Sequence, residues 1–526
     1  MPPPLPSRAV RAARTRRPRV AAILALILGS AAGLAAAATP PAAGGARFRD
    51  DSAGYQALIR RHYDRMMEVG TDRYGPKTTD LWLAAVDVMR GGQPERPDPA
   101  IKRTYREIHA PRGSNLYWEQ PAVIAALQLS QLTGDGRYAA FAERYLRDFL
   151  RLCVSEANGL FLWGNHLYYD VFTDQIVGFS GSHFETRPLP VAWDLFWRIS
   201  PAATERCIRT MGVQYVLDPK TGYFDRHASI KATTPPEPKF PGTYPFIESG
   251  GVLCESLAWL SAKTGHRDPW LVERALAVAR YSFAHRGEKT GLLQNQSGPQ
   301  QRWDFHAATT ESGLWANCLL RSADYTGRQE FADMARAAVS AYLKYGYDAK
   351  TGRYFGQLSY VDGTPRKPER TAKDGAETIY QPGEYADLWE PLFPTHNYPM
   401  AMAEAALTLH QRTREPQFLE GVRRWAAFIR QSTPANGGQG AYADQYGRCI
   451  RFLLRAAHAL GEPAYFEQAK ALAAEAVGHL HHRSTGMFRS HPGEDRCDAV
   501  DGIGLLFLAL IYLERGEEYD LAGFGW

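Results

Sequence analysis

The stretch "LSQLTGDGRYAAFAERYLRDFL", residues 129–150, combines a helix end, a Gly-containing turn and a second amphipathic segment. Apolar residues recur at i, i+3, i+4 and i+7 on both sides of the turn, which predicts an αα-hairpin. Similar stretches recur about every 60 residues, a spacing typical of a repeat architecture. They lie at 260–283, 321–343, 409–429 and 457–477.

A second phrase follows the later helix of each predicted hairpin. Asn-Gly or Thr-Gly marks a turn, and the aromatic and apolar letters after it indicate a short extended piece. The phrase reads "NGLFLW" (158–163), "TGYFDR" (221–226), "TGLLQN" (290–295), "TGRYFG" (351–356) and "TGMFRS" (485–490). A loop comes next, and an acidic or polar residue then opens a helix that is apolar nearly all round, as buried helices are. These opening residues are Glu119, Glu185, Glu248, Glu311, His396 with Asn397, Asp444 and Asp501.

This alternation predicts an all-α fold, an α/α toroid (an incomplete barrel) of six or seven helical hairpins with short β-like pieces in the loops. Seven inner helices can be counted, and six outer helices follow them. The helix expected near residues 55–69 can supply the seventh by closing the ring. A linear solenoid is the alternative architecture, and the closing helix favours the ring. We expect residues 39–526 to form a single catalytic domain.

The N-terminus carries the pattern of an export signal. Six arginines and no acidic residue precede position 40, the apolar run "VAAILALILGSAAGLAAAA" follows, and small residues surround Ala36. This combination predicts a signal peptide over residues 1–38 and an exported protein, periplasmic or extracellular. A retained membrane anchor is the alternative, although the apolar run is marginal in length for a span.

Composition narrows the function classes. Without the six N-terminal arginines, the formal net charge of +5 falls to about −1, which argues against nucleic-acid binding. The chain has 12 Trp and 27 Tyr, a content that is common where sugar rings are stacked. Its six cysteines show no CxxC spacing, so they are interpreted as free buried thiols, with one disulfide as the alternative.

Asn165, His166 and Tyr168 form the sharpest chemical motif, in the sequence "GNHLYY". An amide can hydrogen-bond a carboxylate, an imidazole can move a proton near neutral pH, and a phenol can do so when its pKa is lowered. β-Elimination at a uronic acid needs these abilities. The carboxyl group is neutralised, a base removes the C5 proton, and an acid protonates the leaving oxygen.

The motif resembles the Asn-Asn-His-x-Tyr-Trp element of α/α-barrel alginate lyases, with Gly164 in place of the first Asn and Tyr169 in place of the Trp. The hairpin count is similar to that of other uronate polysaccharide lyases of toroid type, including glucuronan lyases. This resemblance implies cleavage of an alginate, glucuronan or pectate type of polymer. It also implies that Asn165 and His166 neutralise the substrate carboxylate or act as base.

The same resemblance implies a tyrosine from a later loop as base or acid, with an arginine nearby. Tyr244 is the predicted tyrosine, with Tyr223 as second choice, and Arg226 is the predicted guanidinium, with help from His227. The family's spacing between the arginine and the tyrosine is not recognisable here.

Substrate-binding residues are expected on the face where the inner helices begin, because free N–H groups and partial positive charge at helix N-termini suit an anionic ligand. The predicted set is Trp118, Glu119, Tyr168, His183, Glu185, Tyr223, His227, Glu248, Trp303, His306, Glu311, Trp389, His396, Asn397 and Arg489. The expected partner is therefore an anionic polysaccharide or oligosaccharide.

Two alternatives stay open at this point. The carboxylates at the starts of the inner helices could supply an acid/base pair for a glycoside hydrolase, although acids at such positions also act as caps. A non-catalytic carbohydrate-binding protein is the third option. No metal-binding motif is present, since "GHLHHRS" (478–484) is interpreted as an exposed helix end. No cofactor is predicted, and a divalent cation such as Ca²⁺ that helps to neutralise the carboxylate stays an option.

Overall fold

Helices dominate the computed structural model. In order they are α1 (Tyr55–Val69), α2 (Leu116–Thr133), α3 (Gly136–Leu152), α4 (Trp193–Ile199), α5 (Pro201–Gln214), α6 (Ile247–Lys263), α7 (Pro269–Ala284), α8 (Thr309–Thr326), α9 (Gln329–Tyr345), α10 (Met400–Thr413), α11 (Pro416–Gln431), α12 (Ala443–Leu460), α13 (Pro463–Leu480) and α14 (Ile503–Arg515). Even-numbered helices are inner and odd-numbered helices are outer, so the described chain contains seven hairpins, with α1 as the partner of α14.

The structure describes residues 48–50, 52, 54–94, 112–164, 166–178, 183–186, 189–235, 244, 246–297, 306–367, 384–389, 399–432, 434, 441–500 and 502–525. The predicted signal peptide lies outside these residues. So do five residues named from the sequence, namely Asn165, Trp303, His396, Asn397 and Asp501. Within the described part of the chain, no helix has the length and apolarity needed to cross a membrane.

Short strands occupy the connections that lead from an outer helix to the next inner helix. They are β1 (Ala85–Asp87), β2 (Gly113–Ser114), β3 (Leu167–Asp170), β4 (Gln175–Gly178), β5 (His183–Phe184), β6 (Val216–Asp218), β7 (Tyr223–Phe224), β8 (Ala228–Ser229), β9 (Ala307–Ala308), β10 (Tyr347–Asp348), β11 (Arg353–Tyr354), β12 (Gln357–Leu358), β13 (Pro365–Arg366) and β14 (Arg496–Asp498). The sheets have the strand orders β1-β14, β2-β3-β4, β5-β8, β6-β7, β9-β12-β13 and β10-β11. The connections from inner to outer helices are tight turns, so the strands gather at the end where the inner helices begin.

The inner helices form a closed ring. Contacts run from α6 to α8, α10, α12 and α14 in turn, and α14 packs on both α2 and α1. The step from α2 to α4 passes through side chains of α2. Gln120 Oε1 accepts a hydrogen bond from the Ala192 N–H at 2.7 Å, and the Tyr117 hydroxyl donates to the Leu189 carbonyl at 2.8 Å. The predicted α/α toroid is therefore confirmed, and the linear solenoid is excluded.

Glycines let neighbouring inner helices approach backbone to backbone. A Cβ added at Gly504 of α14 would lie 2.1 Å from the main-chain nitrogen of Ala122 in α2. At Gly313 of α8, a Cβ would lie 2.4 Å from the main-chain nitrogen of Met402 in α10, and Gly447 of α12 meets the backbone of α14 in the same way. Since backbone atoms cannot rotate away, these positions fix the spacing of the ring.

Outer helices show the opposite pattern, with one apolar face. In α3, Tyr138, Phe141, Tyr145 and Phe149 are buried, and Asp135 caps the helix by accepting a hydrogen bond from the Arg137 N–H. All six cysteines are buried thiols, as expected from the sequence.

The close contact between α14 and α2, which closes the ring, leads to a prediction about stability. Gly504→Ala should lower the free energy of unfolding by about 1–3 kcal/mol, because the new methyl group overpacks the α14–α2 contact. Gly478→Ala is the matched control. It lies in outer helix α13 with no atom within 4 Å of its added Cβ, and it should raise stability by up to about 1 kcal/mol through helix propensity. Thermal unfolding followed by circular dichroism measures both. Equal shifts for the two variants would contradict the role of close backbone contact.

Candidate functional site

The strand that follows the Asn-His pair is half buried. Leu167 and Tyr169 of β3 are buried, whereas Tyr168 and Asp170 are partly exposed. Since side chains alternate along a strand, His166 falls on the partly exposed side with Tyr168. His166 therefore lies on the partly exposed face of the small sheet formed by β2, β3 and β4.

Two further segments reach His166. Gly164 forms a parallel bridge with Glu185, which directly follows β5. Strand β5 pairs with β8, which places His183 opposite Ser229. Arg226 and His227 directly precede β8. Three loop segments that are distant in the sequence therefore meet at one place.

The buried carboxylate of Glu185 connects these three loop segments. The side chain of Glu185 is 1% exposed, and each of its oxygens lies against a basic side chain. His166 Nε2 lies 2.7 Å from Glu185 Oε2, and Arg226 Nη1 donates to Glu185 Oε1 at 2.8 Å. His227 Nε2 lies 3.3 Å from His166 Nε2. Burying a carboxylate is costly unless it is paired, so the positions of these partners are tightly linked.

The same residues offer ligand atoms for a metal ion. One atom each of His166, Glu185 and His227 lies within 4.8 Å of the other two. Two imidazoles and a carboxylate form a donor set that suits a first-row divalent transition metal. Ca²⁺ prefers six to eight oxygen ligands, so the nitrogen donors do not favour the calcium ion considered from the sequence.

The electrostatics of His227 agree with this fit. Burial lowers its pKa to about 3, and the charges of Arg226, His166 and His183 lower it as well, against the opposing effect of Glu185. The ring is therefore neutral near pH 7, which is the form that binds a metal ion.

Arg226 is held from two sides. Its guanidinium carbon lies 4.6 Å from the ring centroid of Phe246, and its Nη1 binds Glu185. Phe246 precedes α6 with a φ of 57°, a left-handed conformation that costs a bulky residue energy. This strained residue keeps an aromatic face against the guanidinium. His183 is exposed next to this group, with its ring centroid 5.5 Å from that of His227. Of the predicted residues, the structure therefore brings together His166, His183, Glu185, Arg226 and His227.

Tyr244, the predicted catalytic tyrosine, does not belong to this group. Its ring is fully buried and stacks on Phe224, and its hydroxyl donates to the Gln294 carbonyl at 2.7 Å. Burial raises its pKa, which is the opposite of what a base requires. Tyr223, the second choice, packs its ring against Tyr281 of outer helix α7 at 5.8 Å. The structure therefore does not support the predicted role of Tyr244.

Several predicted sugar contacts are also buried in the ring. Trp118 and Trp389 are 2% and 3% exposed, so neither ring has a free face for a sugar. Inner-helix carboxylates are buried too, namely Glu119, Glu248 and Glu311. Burial raises the pKa of Glu119 well above its usual value, with a further contribution from Asp498. None of these side chains is exposed to a ligand in this structure.

The other predicted residues are placed as follows. Tyr168 is half-buried on the side of His166, and burial followed by the charge of Asp170 raises its pKa. His306 is half-buried, and burial lowers its pKa. Arg489 binds Asp495 at 2.8 Å. Asn165, Trp303, His396 and Asn397 lie outside the described residues.

One family model matches part of the chain. Its description is periplasmic pectate lyase, and it matches residues 97–251. This range contains His166, His183, Glu185, Arg226 and His227. No curated protein matches the chain.

Solved structures resemble the chain only in their general fold. The alpha-1,6-mannanase GH76A from Salegentibacter sp. HEL1_6 is 11% identical, with 87% of this chain and 99% of that chain covered and a TM-score of 0.43. A sugar epimerase from a ruminal bacterium is 10% identical, with 69% and 95% covered and a TM-score of 0.45. An unsaturated glucuronyl hydrolase specific for heparin is 10% identical, with 77% and 98% covered and a TM-score of 0.42.

The burial of Tyr244 leads to a prediction that separates structure from catalysis. Tyr244→Phe removes the hydrogen bond to Gln294 and should cost about 1 kcal/mol of stability. Turnover should stay within about threefold of the wild type, whereas loss of a general acid or base typically costs 10²–10⁴-fold. Initial rates at saturating substrate, together with thermal unfolding, make the comparison. If Tyr244→Phe lowers the rate more than about 100-fold, Tyr244 takes part in catalysis after all.

Proposed function

We propose that the chain is an exported polysaccharide lyase that cleaves a uronic-acid polymer of the pectate type by β-elimination. The proposal includes a divalent transition-metal ion held by His166, Glu185 and His227. The observation that carries it is the convergence of these three ligands beside Arg226. The match to a periplasmic pectate lyase model over the same residues supports it, and it also supports a periplasmic location.

The chemistry of elimination explains why such a site is useful. The C5 proton of a uronate becomes acidic only when the neighbouring carboxylate loses its negative charge. A metal ion bound at this site would supply this effect by polarising the substrate carboxylate as a Lewis acid. His166, Glu185 and His227 would hold the ion. Arg226 adds a permanent positive charge beside them, because guanidinium groups stay protonated.

His183 is the side chain that we assign to proton transfer. It is exposed next to His227, and an imidazole can take up a proton near neutral pH. In the proposed reaction, the base takes the C5 proton, the electron pair forms the C4–C5 double bond, and the C4–O4 bond breaks. The leaving oxygen stays on the anomeric carbon of the neighbouring sugar and takes up a proton from water. The products are one chain with a new reducing end and one chain that begins with an unsaturated uronate.

Hydrolysis receives less support from the described residues. A glycoside hydrolase needs two carboxyl groups that face the bond from about 5–10 Å apart. Among the inner-helix carboxylates that the structure describes, Glu119, Glu248, Glu311 and Asp444 are at most 6% exposed. Glu185 is engaged by His166 and Arg226. The hydrolase predicted as an alternative therefore has no exposed pair among these positions.

The first experiment tests reaction and metal together. Polygalacturonate, alginate and glucuronan are incubated with the protein, and ultraviolet absorbance of the C4–C5 double bond is recorded. We expect absorbance with polygalacturonate, its loss after dialysis against a chelator, and recovery on addition of Mn²⁺, Co²⁺ or Zn²⁺ but not Ca²⁺. His166→Ala and His227→Ala should each lower the rate at least about 100-fold. New reducing ends without absorbance would establish hydrolysis instead, and full activity after the metal has been stripped would exclude the metal.

The second experiment assigns the two groups beside the ligands. His183→Asn removes a proton acceptor and should lower kcat by about 10²–10⁴-fold. Arg226→Lys keeps the charge but loses the planar fork, and it should lower kcat by about 10²-fold or more, in the range found for a lost charge-stabilising donor. His285→Asn is the matched control, because this histidine binds the Tyr281 carbonyl of outer helix α7. If His183→Asn has normal turnover and Arg226→Lys has lost turnover, His183 is not the residue that transfers the proton.

A further inference from the structure

Asn115 makes an unusual pair of contacts with the segment that carries His166. Its side-chain amide donates to the Gly164 carbonyl at 2.9 Å, and its Oδ1 accepts from the Gly164 N–H at 3.1 Å. Asn115 is 1% exposed. A single side chain thus satisfies both main-chain groups of one residue, as a neighbouring strand would.

The other side of Gly164 faces a metal-ligand candidate. Gly164 bridges Glu185 in parallel fashion, and its φ is 97°. A Cβ at position 164 would lie 2.1 Å from the Glu185 main-chain oxygen, so only glycine fits between Asn115 and Glu185. His166 follows two residues later. The distance between the His166 and Glu185 segments is therefore set at Gly164.

The residues before α2 hold the far end of the same stretch. Gly113 pairs with Asp170, and Ser114 pairs with Tyr169, in the contact between β2 and β3. The Ser114 hydroxyl also lies 3.0 Å from the Tyr145 hydroxyl of α3. Residues 113–115 thus hydrogen-bond to Gly164 on one side of His166 and pair with Tyr169 and Asp170 on the other side.

Asn115 is itself fixed by the inner ring. It directly precedes α2, and its carbonyl accepts a hydrogen bond from the Trp118 N–H at 3.1 Å. The segment of His166 is therefore held from the start of an inner helix, through main-chain and side-chain hydrogen bonds. A support of this kind matters for a metal site, because ligand positions must be held within a few tenths of an ångström.

From this geometry we infer that Asn115 is a positioning residue that sets His166 against Glu185 and thereby sets the affinity of the site for a divalent transition metal. This inference rests on the metal site of the proposed function. Residues that orient ligands through hydrogen bonds typically change metal affinity by about 10–100-fold when they are replaced. The described hydrogen bonds of Asn115 go to the main chain of Gly164 and Trp118, so we expect its effect to pass through His166.

The test measures metal binding directly. MnCl₂ is titrated calorimetrically into metal-free wild type, Asn115→Ala and Asn115→Asp, and the rise in melting temperature at saturating Mn²⁺ is recorded. Asn115→Ala removes both contacts with Gly164 and should weaken binding about 10–100-fold. Asn115→Asp keeps the shape and the acceptor and should weaken it less. Turnover of Asn115→Ala should recover at high Mn²⁺ with the KM for polymer unchanged.

Asn317→Ala provides the matched control. Asn317 is a buried asparagine of α8 whose amide donates to the Gly313 and Ala401 carbonyls at 2.9 and 2.7 Å. This variant should lose stability while its affinity for Mn²⁺ stays at the wild-type value.

The outcomes separate the two proposals. If wild type binds no Mn²⁺, Co²⁺ or Zn²⁺, the proposed metal site itself fails. If wild type binds and both Asn115 variants bind equally well, only the role of Asn115 is overturned, and its contacts are then merely structural. Should Asn115→Ala not fold, the affinity of Asn115→Asp decides, since a wild-type value would overturn the inference.

Discussion

Backbone contact between the inner helices is the constraint on which this molecule depends. At Gly313, Gly447 and Gly504, a neighbouring helix lies so close that a methyl group would overlap its main chain. Helices at this distance bury nearly their whole surface, which leaves little room for exposed polar groups along their length. Chemistry is therefore confined to the loops that lead into the inner helices, and the convergence of His166, Glu185 and Arg226 occurs in such loops.

The buried carboxylate of Glu185 constrains the loops as backbone contact constrains the inner helices. A carboxyl group that is 1% exposed is costly to bury without partners, and His166 and Arg226 lie against its two oxygens. Because the partners come from loops on both sides of Glu185 in the sequence, one charge organises three segments. The same arrangement gathers Arg226 and the candidate metal ligands His166, Glu185 and His227 in one place. The contacts that stabilise these loops thus also prepare a site for an anion.

The helical ring could be predicted because its signal is local. Each hairpin repeats its own periodicity and turn, so no long-range information was needed. The site was predictable only in pieces. His166 came from a motif, and Glu185, Arg226 and His227 were named singly, but nothing in the spacing of residues 166, 185 and 227 indicates a shared metal. Their grouping depends on the β5–β8 pairing and on the bridge at Gly164, which hydrophobic patterns do not encode.

Burial also explains why three of the residues named from the sequence lie apart from the group around Glu185. Tyr244, Trp118 and Trp389 stand near the starts of inner helices, where the loops were expected to face a ligand. An aromatic ring at such a position can instead pack against neighbouring side chains, and its large apolar area favours burial. All three side chains are at most 3% exposed. Position along a repeat therefore indicates the end of the fold at which a residue lies, whereas burial decides whether its chemistry can reach a substrate.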